Sequence, residues 1–273
     1  MTADADPATL RDLAVACATE AGDLLADALH EARTTVASKS SATDMVTEMD
    51  AASERLLEAR LMAARPDDTI VGEEGAHRAG TSGVRWVVDP LDGTTNYLYR
   101  MPGWNVSVGA EIGGTPVAGA VVIPGYGDTF AAATGLGATH NGVSIAVADA
   151  PPLERALVGT GFAYDPDTRA VQGAVVSRLL PRVRDVRRVG AAAGDLCAVA
   201  CGRLDGYYES GLAPWDECAG TVIAREAGAR VERLAGTPLP EPVTVAAPPA
   251  LWDDLLDVLR TAGALHPDPT ESS

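Results

Sequence analysis

Apolar and polar positions change their period along the chain. Leu10, Leu13, Val15, Ala18, Leu24, Leu25 and Leu29 recur at mostly helical spacing behind Asp6-Pro7, a cap residue followed by a proline suited to a first helical turn. They predict an amphipathic helix as the first element. Leu56, Leu57, Leu61 and Met62 predict a second helix from Thr47 to Ala64, which Pro66 stops, and the polar segment Lys39 to Asp44 lies between the two. From Thr69 onward the pattern shortens to apolar runs bounded by turn residues. These runs predict strands at Ile70 to Gly72, Trp86 to Val88, Val106 to Ile112, Val117 to Ile123 and Thr129 to Ala133, with Gly113-Gly114 as a hairpin turn.

Past Pro151-Pro152 strand and helix signals alternate. Strands are predicted at Ala156 to Gly159, Val183 to Val189, Leu204 to Glu209 and Val243 to Ala246. Helices are predicted at Pro166 to Leu180, Ala191 to Cys201, Asp216 to Ala227 and Ala250 to Arg260. An α+β first half, 1–150, is therefore expected to precede an α/β second half, 151–273, with a large shared interface because no flexible linker separates them. No repeat or low-complexity segment interrupts the order, and the tail from Ala262 is expected to fray.

Charge narrows the function classes. Lys and Arg number 21 against 38 Asp and Glu, a net charge of −17, which repels phosphate backbones and anionic membranes, so neither nucleic acid nor a membrane is an expected partner. The same charge is awkward for a small anionic substrate unless divalent cations occupy some of the carboxylates and invert the local sign. The four cysteines, Cys17, Cys197, Cys201 and Cys218, form no CxxC pair and read as buried thiols. The N-terminus lacks a basic segment followed by an apolar core, and no apolar run reaches the roughly 18 residues of a membrane span, so the cytoplasm is the expected location.

The most informative stretch is Trp86-Val-Val-Asp89-Pro-Leu-Asp92-Gly93-Thr94-Thr95-Asn96. An apolar strand is expected to end in a proline turn holding two carboxylates three residues apart, followed by small hydroxyl residues able to open a helix. Both carboxylates and the Leu91 carbonyl would then point to one side as hard oxygen ligands for Mg²⁺, with the amides of Gly93 to Thr95 facing the same cleft as a phosphate cradle. An ordinary Asp-Gly turn capped by Asp89 would use the same residues. Gly72-Glu73-Glu74-Gly75 places carboxylates at a strand's C-terminal end, either as ligands or as a solvated loop. Asp216, after Trp215, either caps its helix or points away from it as a further ligand. The acids of Asp44-Met-Val-Thr-Glu-Met-Asp50 either favour a helix N-terminus or serve a site. Lys39 is the single lysine of the chain, the other twenty basic residues being arginine, which suggests that a compact point charge is wanted there.

Taken together, Lys39-Ser-Ser-Ala-Thr-Asp44-Met-Val-Thr-Glu-Met-Asp50, Gly72-Glu73-Glu74, Asp89-Pro-Leu-Asp92-Gly93-Thr94-Thr95-Asn96 and Trp215-Asp216-Glu-Cys-Ala-Gly220 resemble the ordered motifs of the inositol monophosphatase family of Mg²⁺-dependent, lithium-sensitive phosphatases. The resemblance runs from about Leu10 to Leu259 and includes Tyr207-Tyr208-Glu209 and Thr160-Gly161-Phe162. It implies a layered αβαβα sandwich, a homodimer, and a small phosphorylated polyol or sugar as substrate.

By that resemblance, Glu73, Asp89 and the Leu91 carbonyl match one metal site and Asp89, Asp92 and Asp216 a second, with Glu73 serving a weaker third, so two or three Mg²⁺ are implied. Thr94 with Asp50, assisted near Glu73, matches the pair that orients and deprotonates the attacking water. Gly93, Thr94, Thr95, Ala191, Ala192, Glu209 and Asp216 match substrate contacts, Glu209 and Asp216 accepting hydrogen bonds from substrate hydroxyls. Lys39 matches a mobile-loop lysine near the metals. Two positions depart from the pattern: Ala191 stands where many relatives carry Ser or Thr, and Tyr99 where several carry His. Both bear on substrate identity and leave the ligand set intact.

The resemblance therefore implies an inositol-1-monophosphatase, with histidinol phosphate, fructose 1,6-bisphosphate and 3′-phosphoadenosine 5′-phosphate as alternative esters. A covalent aspartyl-phosphate mechanism of the haloacid-dehalogenase type needs acids two residues apart, whereas Asp89 and Asp92 are three apart with a proline between. A dinucleotide fingerprint is incomplete at Gly135-x-Gly137 and at Gly159-x-Gly161. A non-catalytic regulator on the same fold, as among relatives with RNA-linked roles, is opposed by the net charge and by the complete ligand set.

Overall fold

The computed structural model describes residues 5–34, 42–236 and 242–266. Helix α1, Pro7–Thr34, and helix α2, Ala42–Ala64, carry the first two apolar stripes. The second begins at Ala42 rather than Thr47, so Asp44 belongs to the helix and not to the polar connection. Strands β1 (Thr69–Gly72), β2 (His77–Arg78) and β3 (Val84–Asp92), the short helix α3 (Thr94–Leu98), then β4 (Asn105–Ile112), β5 (Thr115–Ile123), β6 (Asp128–Ala133), β7 (Ala138–His140) and β8 (Val143–Ile145) follow. The eight strands form one sheet in the order β2-β1-β3-β4-β5-β6-β7-β8. It is antiparallel except where β1 runs parallel to β3.

The second half supplies β9 (Leu157–Thr160), α4 (Pro166–Leu179), β10 (Asp185–Arg187), α5 (Ala192–Ala200), β11 (Gly206–Ser210), α6 (Pro214–Glu226), β12 (Arg230–Leu234), β13 (Val243–Ala247) and α7 (Trp252–Ala262). Its sheet runs β10-β9-β11-β13-β12, parallel on the β10, β9 and β11 side and antiparallel at β13 and β12. The run Val183 to Val189 contracts to a three-residue edge strand, and β12 is an edge strand that the apolar pattern did not reveal. Its sequence, Arg-Val-Glu-Arg-Leu, carries a single buried residue, Val231.

Strand alternation explains the layering, because successive side chains leave a sheet on opposite faces. Ala118, Ala120 and Val122 of β5 join Leu10, Leu25, Leu57 and Leu61 in a core beneath α1 and α2. Val121 and Ile123 of the same strand face the other way and pack with Leu196 and Val199 of α5 and Val222 and Ile223 of α6. Tyr207 of β11 closes that middle core from the second sheet, whereas its neighbour Tyr208 points outward with Val243 and Val245 toward α4 and α7. The order α1 and α2, first sheet, α5 and α6, second sheet, α4 and α7 is an αβαβα sandwich. Helices α5 and α6 are thus covered on both sides, which their small residues permit: Ala193, Ala200, Ala219 and Ala224 are fully buried.

Candidate active site

Asp89 and Asp92 do not lie in a turn beyond the strand's end. Strand β3 keeps pairing with β4 through Asp89 opposite Ser107 and resumes at Asp92 opposite Asn105, so Pro90 and Leu91 form a bulge inside the sheet. The proline carries no N–H to waste at the interrupted ladder, and the bulge turns both carboxylates toward the C-terminal edge of the strand. Three hydrogen bonds fix it. Ser53 Oγ on α2 donates to the Pro90 carbonyl at 2.8 Å, the Leu91 N–H donates to Asp89 Oδ1 at 3.0 Å, and Thr94 Oγ1 donates to the Leu91 carbonyl at 3.2 Å. Gly93 follows with φ of 82°, a left-handed turn that launches α3.

One cavity of about 560 Å³ opens over this bulge. Its wall brings together Glu73, Asp89, Leu91, Asp92, Gly93 and Thr94 from the first half with Ala191, Ala192, Glu209 and Asp216 from the second. Thr95 is exposed and Asp50 is buried, and neither reaches the wall. Lys39 lies outside the described residues. No hydrogen bond joins Thr94 to Asp50 among the described residues, the threonine being spent on Leu91, and Asp50 Oδ1 is buried with no partner. Tyr99, 71% exposed, does not line the cavity, so of the two departures noted in the sequence Ala191 alone touches the site.

Asp216 is not the N-cap residue of α6, but its side chain caps the helix from the third helical position. The helix opens at Pro214, and the Asp216 carboxylate reaches back from the first turn to accept the Ala213 N–H at 2.7 Å with Oδ2. Asp92 is oriented from both halves, accepting from Asn105 Nδ2 at 2.9 Å and from the Ala193 N–H at 3.0 Å. Glu209 accepts the hydroxyl proton of Tyr207 at 2.6 Å. A Cβ added at Gly161 would sit about 2 Å from the Glu209 carboxylate, so only glycine leaves room for it. Glu54 Oε1 on α2 accepts the Glu74 N–H at 3.0 Å and steadies the Glu73-Glu74 loop.

The electrostatics are lopsided. Burial, and then mutual repulsion led by Asp92 and Glu73, raises Asp89 well above the usual carboxylate range. Burial followed by Asp216 pushes Asp92 up to about 7, even though Asn105 and Ala193 oppose the shift. Desolvation raises Asp216 to about 6 and Asp50 to about 8, Glu74 and Glu73 adding to the latter. Glu73 shifts upward by desolvation and then by Asp216, and its carboxyl is in hydrogen-bond contact with Asp89. None of Glu73, Asp89, Asp92 and Asp216 forms an ion pair with a basic group of the described residues. Among the described residues no three carboxylate, imidazole or thiol groups converge into a ready-made metal cage. The arrangement is an uncompensated set of hard oxygen donors that a divalent cation would neutralise and draw together.

Several supporting residues escaped the sequence reading. Asn105 and Ser53 are polar groups at fully buried positions within apolar patterns, a signal visible only once burial is known. Asp195, 1% exposed with Oδ2 unpartnered, is another. Arg188 at the cavity mouth had no sequence signal, since it sits among four nearby arginines.

Comparison with known proteins shows the family. The model of the inositol monophosphatase family matches residues 6–262. The inositol-1-monophosphatase SuhB of Mycobacterium tuberculosis is 43% identical over 288 aligned positions, covering 97% of this chain and 98% of that protein. The solved structure of Mycobacterium tuberculosis SuhB superposes with a TM-score of 0.84 at 42% identity, over 96% of this chain and all of the other. The Nus factor SuhB of Escherichia coli is 37% identical over 227 positions, covering 82% of this chain and 85% of that protein.

Proposed function

The chain belongs to the inositol monophosphatase family, and from that premise we propose that it is an Mg²⁺-dependent phosphomonoesterase acting on inositol 1-phosphate or a closely similar polyol phosphate. The observation that carries the reading is the convergence of Glu73, Asp89, the Leu91 carbonyl, Asp92 and Asp216 on one cavity with no cationic partner for the four acids. All five donors are hard oxygens, the set that suits Mg²⁺. Glu73, Asp89 and Leu91 would hold one ion and Asp89, Asp92 and Asp216 a second, with a third resting on Glu73. When bound, these ions offset the clustered negative charge, lower the pKa of the attacking water and stabilise the departing oxygen.

The chain's own groups do the rest. Thr94, whose hydroxyl donates to the Leu91 carbonyl, lines the cavity and is the group assigned to orient a water. Asp50, buried behind the cavity with one oxygen unpartnered, is the group assigned to take up the proton. The Gly93 turn and the amides up to Thr95 cradle the phosphate, and the ester is cleaved by water in line, without a covalent enzyme intermediate. Glu209, fixed by Tyr207 and seated on Gly161, accepts a hydroxyl of the leaving polyol, Asp216 a second, and the backbone of Ala191 and Ala192 faces them.

A homodimer is the expected assembly, supported by Met101 and Tyr126, 56% and 51% exposed, on adjoining loops beside Tyr99. The charge of −17 argues against nucleic acid as the partner. No described helix is long and apolar enough to cross a membrane, and the cytoplasm is the location proposed. The substrate reading is tested by initial rates on inositol 1-phosphate, histidinol phosphate, fructose 1,6-bisphosphate and 3′-phosphoadenosine 5′-phosphate. Preference for inositol 1-phosphate is expected. Preference for another ester would reassign the substrate, and silence on all four would remove the activity.

A further inference from the structure

When ionised, Glu209 and Asp216 only accept hydrogen bonds, whereas every hydroxyl of a polyol also carries lone pairs that call for a donor. No side chain assigned so far supplies one on the leaving-group side. Ser210 stands in the right place. Half-buried, it follows Glu209 at the end of β11 and lines the same cavity.

The serine hydroxyl is oriented from behind. Strands β9 and β11 pair in parallel as far as Thr160 opposite Tyr208, where β9 ends while β11 runs on to Ser210. Gln172 bridges the two segments beyond that point. It belongs to the buried stripe of α4 with Val175 and Leu179 and is only 5% exposed. Its Oε1 accepts the Ala163 N–H at 2.9 Å, and its Nε2 donates to Ser210 Oγ at 3.1 Å. A backbone N–H can only donate, so the amide oxygen must face Ala163 and the amide nitrogen must face the serine. Ser210 Oγ therefore accepts from Gln172, which leaves its own proton for another acceptor. No described residue takes that proton.

We propose that Ser210 is a specificity-determining residue that donates a hydrogen bond to a hydroxyl oxygen of the leaving polyol, with Gln172 as the positioning residue that fixes it as a donor. This rests on the phosphomonoesterase reading and deepens it. Glu209 and Ser210, consecutive on one strand, present an acceptor and a donor on one wall. Neighbouring hydroxyls of a polyol satisfy both. A leaving group without hydroxyls leaves both unpaired as it displaces water, and that penalty is what discriminates against it.

The test compares wild type, Ser210→Ala, Gln172→Glu and the double variant, each with Mg²⁺, on inositol 1-phosphate and on phenyl phosphate, whose leaving group carries no further hydroxyl. A carboxylate at position 172 still accepts the Ala163 N–H, but it accepts the serine proton as well and so removes the donor from the cavity. Ser210→Ala and Gln172→Glu are each expected to lower the inositol-to-phenyl ratio of kcat/KM by about fivefold, through KM for inositol 1-phosphate, as loss of one hydrogen bond implies, and the double variant is expected to lower it no further. An unchanged ratio in Ser210→Ala overturns the proposal. Gln172→Glu that behaves as wild type would make Gln172 a strap on Ala163 alone and overturns its orienting role. A double variant that shows the product of the two losses overturns it as well, because the two residues would then act separately. Wild type that hydrolyses phenyl phosphate but not inositol 1-phosphate overturns the proposal and leaves a phosphatase of other specificity. Wild type that hydrolyses neither ester removes the phosphatase reading with it.

Discussion

The backbone N–H of Ala193 donates to Asp92 Oδ2 at 3.0 Å across a sequence separation of 101 residues. One carboxylate oxygen of the β3 bulge is thereby held by the first turn of α5, and the same oxygen accepts Asn105 Nδ2 at 2.9 Å. The two halves of the chain meet at a proposed metal ligand, so the geometry of the site depends on the docking of the whole sandwich.

Asp92→Asn keeps an acceptor for both donors and removes the charge. The variant is expected to fold and to lose about 100-fold or more in kcat, more than an outer partner of a metal site usually costs. Circular dichroism and initial rates check this together. Near-normal turnover would mean that Asp92 is not a ligand.

The clustered acids also set a pH dependence. Their folded pKa values are raised, Asp216 to about 6, Asp92 to about 7 and Asp50 to about 8, so the folded chain retains protons that the unfolded chain has released. Stability of the metal-free protein is then highest near the unfolded carboxylate pKa of about 4 and falls as pH rises toward 8. Calorimetry in chelator should show Tm falling across that window. Added Mg²⁺ should raise Tm more at pH 8 than at pH 5, where protons compete for the same oxygens. Equal increments at both pH values would speak against carboxylate ligation.

The layered fold was largely legible because its cores obey simple periods. The helical stripe of α1, the alternation of β5 and the apolar runs of β9 and β13 each appear in the residue order. Edge strand β12 did not, because its charged side chains face solvent and its pairing with β13 is a long-range fact. The Asp89 to Asp92 stretch showed its chemistry but not its shape, since whether a proline ends a strand or bulges it depends on the partner, here Asn105 returning opposite Asp92. The pairing of Thr94 with Asp50 was implied by the family resemblance and not by the residue pattern. In the structure the Thr94 hydroxyl donates to the Leu91 carbonyl at 3.2 Å.

Tyr207 is fully buried, and its hydroxyl does one thing, donating to Glu209 at 2.6 Å. Tyr207→Phe should leave the phosphate side intact and loosen Glu209, raising KM for inositol 1-phosphate about tenfold with a smaller change in kcat, as loss of a hydrogen bond to a charged group implies. A fall in kcat with KM unchanged would place Glu209 in the chemical step instead.

Ala191 lines the cavity with its Cβ 3.1 Å from where a Gly93 side chain would begin, so a hydroxyl there would reach substrate. Ala191→Ser is expected to shift relative kcat/KM among polyol and sugar phosphates by several-fold, on the order of one hydrogen bond, with the Mg²⁺ requirement unchanged. An identical preference order and spacing in the variant would show that the position is peripheral.

The central claim is that uncompensated oxygens of this chain bind metal and that the bound metal enables ester hydrolysis. Phosphate release from inositol 1-phosphate, followed as Mg²⁺ is titrated into metal-free wild type and Asp92→Asn, tests it most directly. Wild type should be silent without metal, gain activity along a saturable curve and lose it again on adding Li⁺, while Asp92→Asn stays near background throughout. Release of phosphate by wild type at full rate in chelator, or superimposable curves for the two proteins, would contradict it.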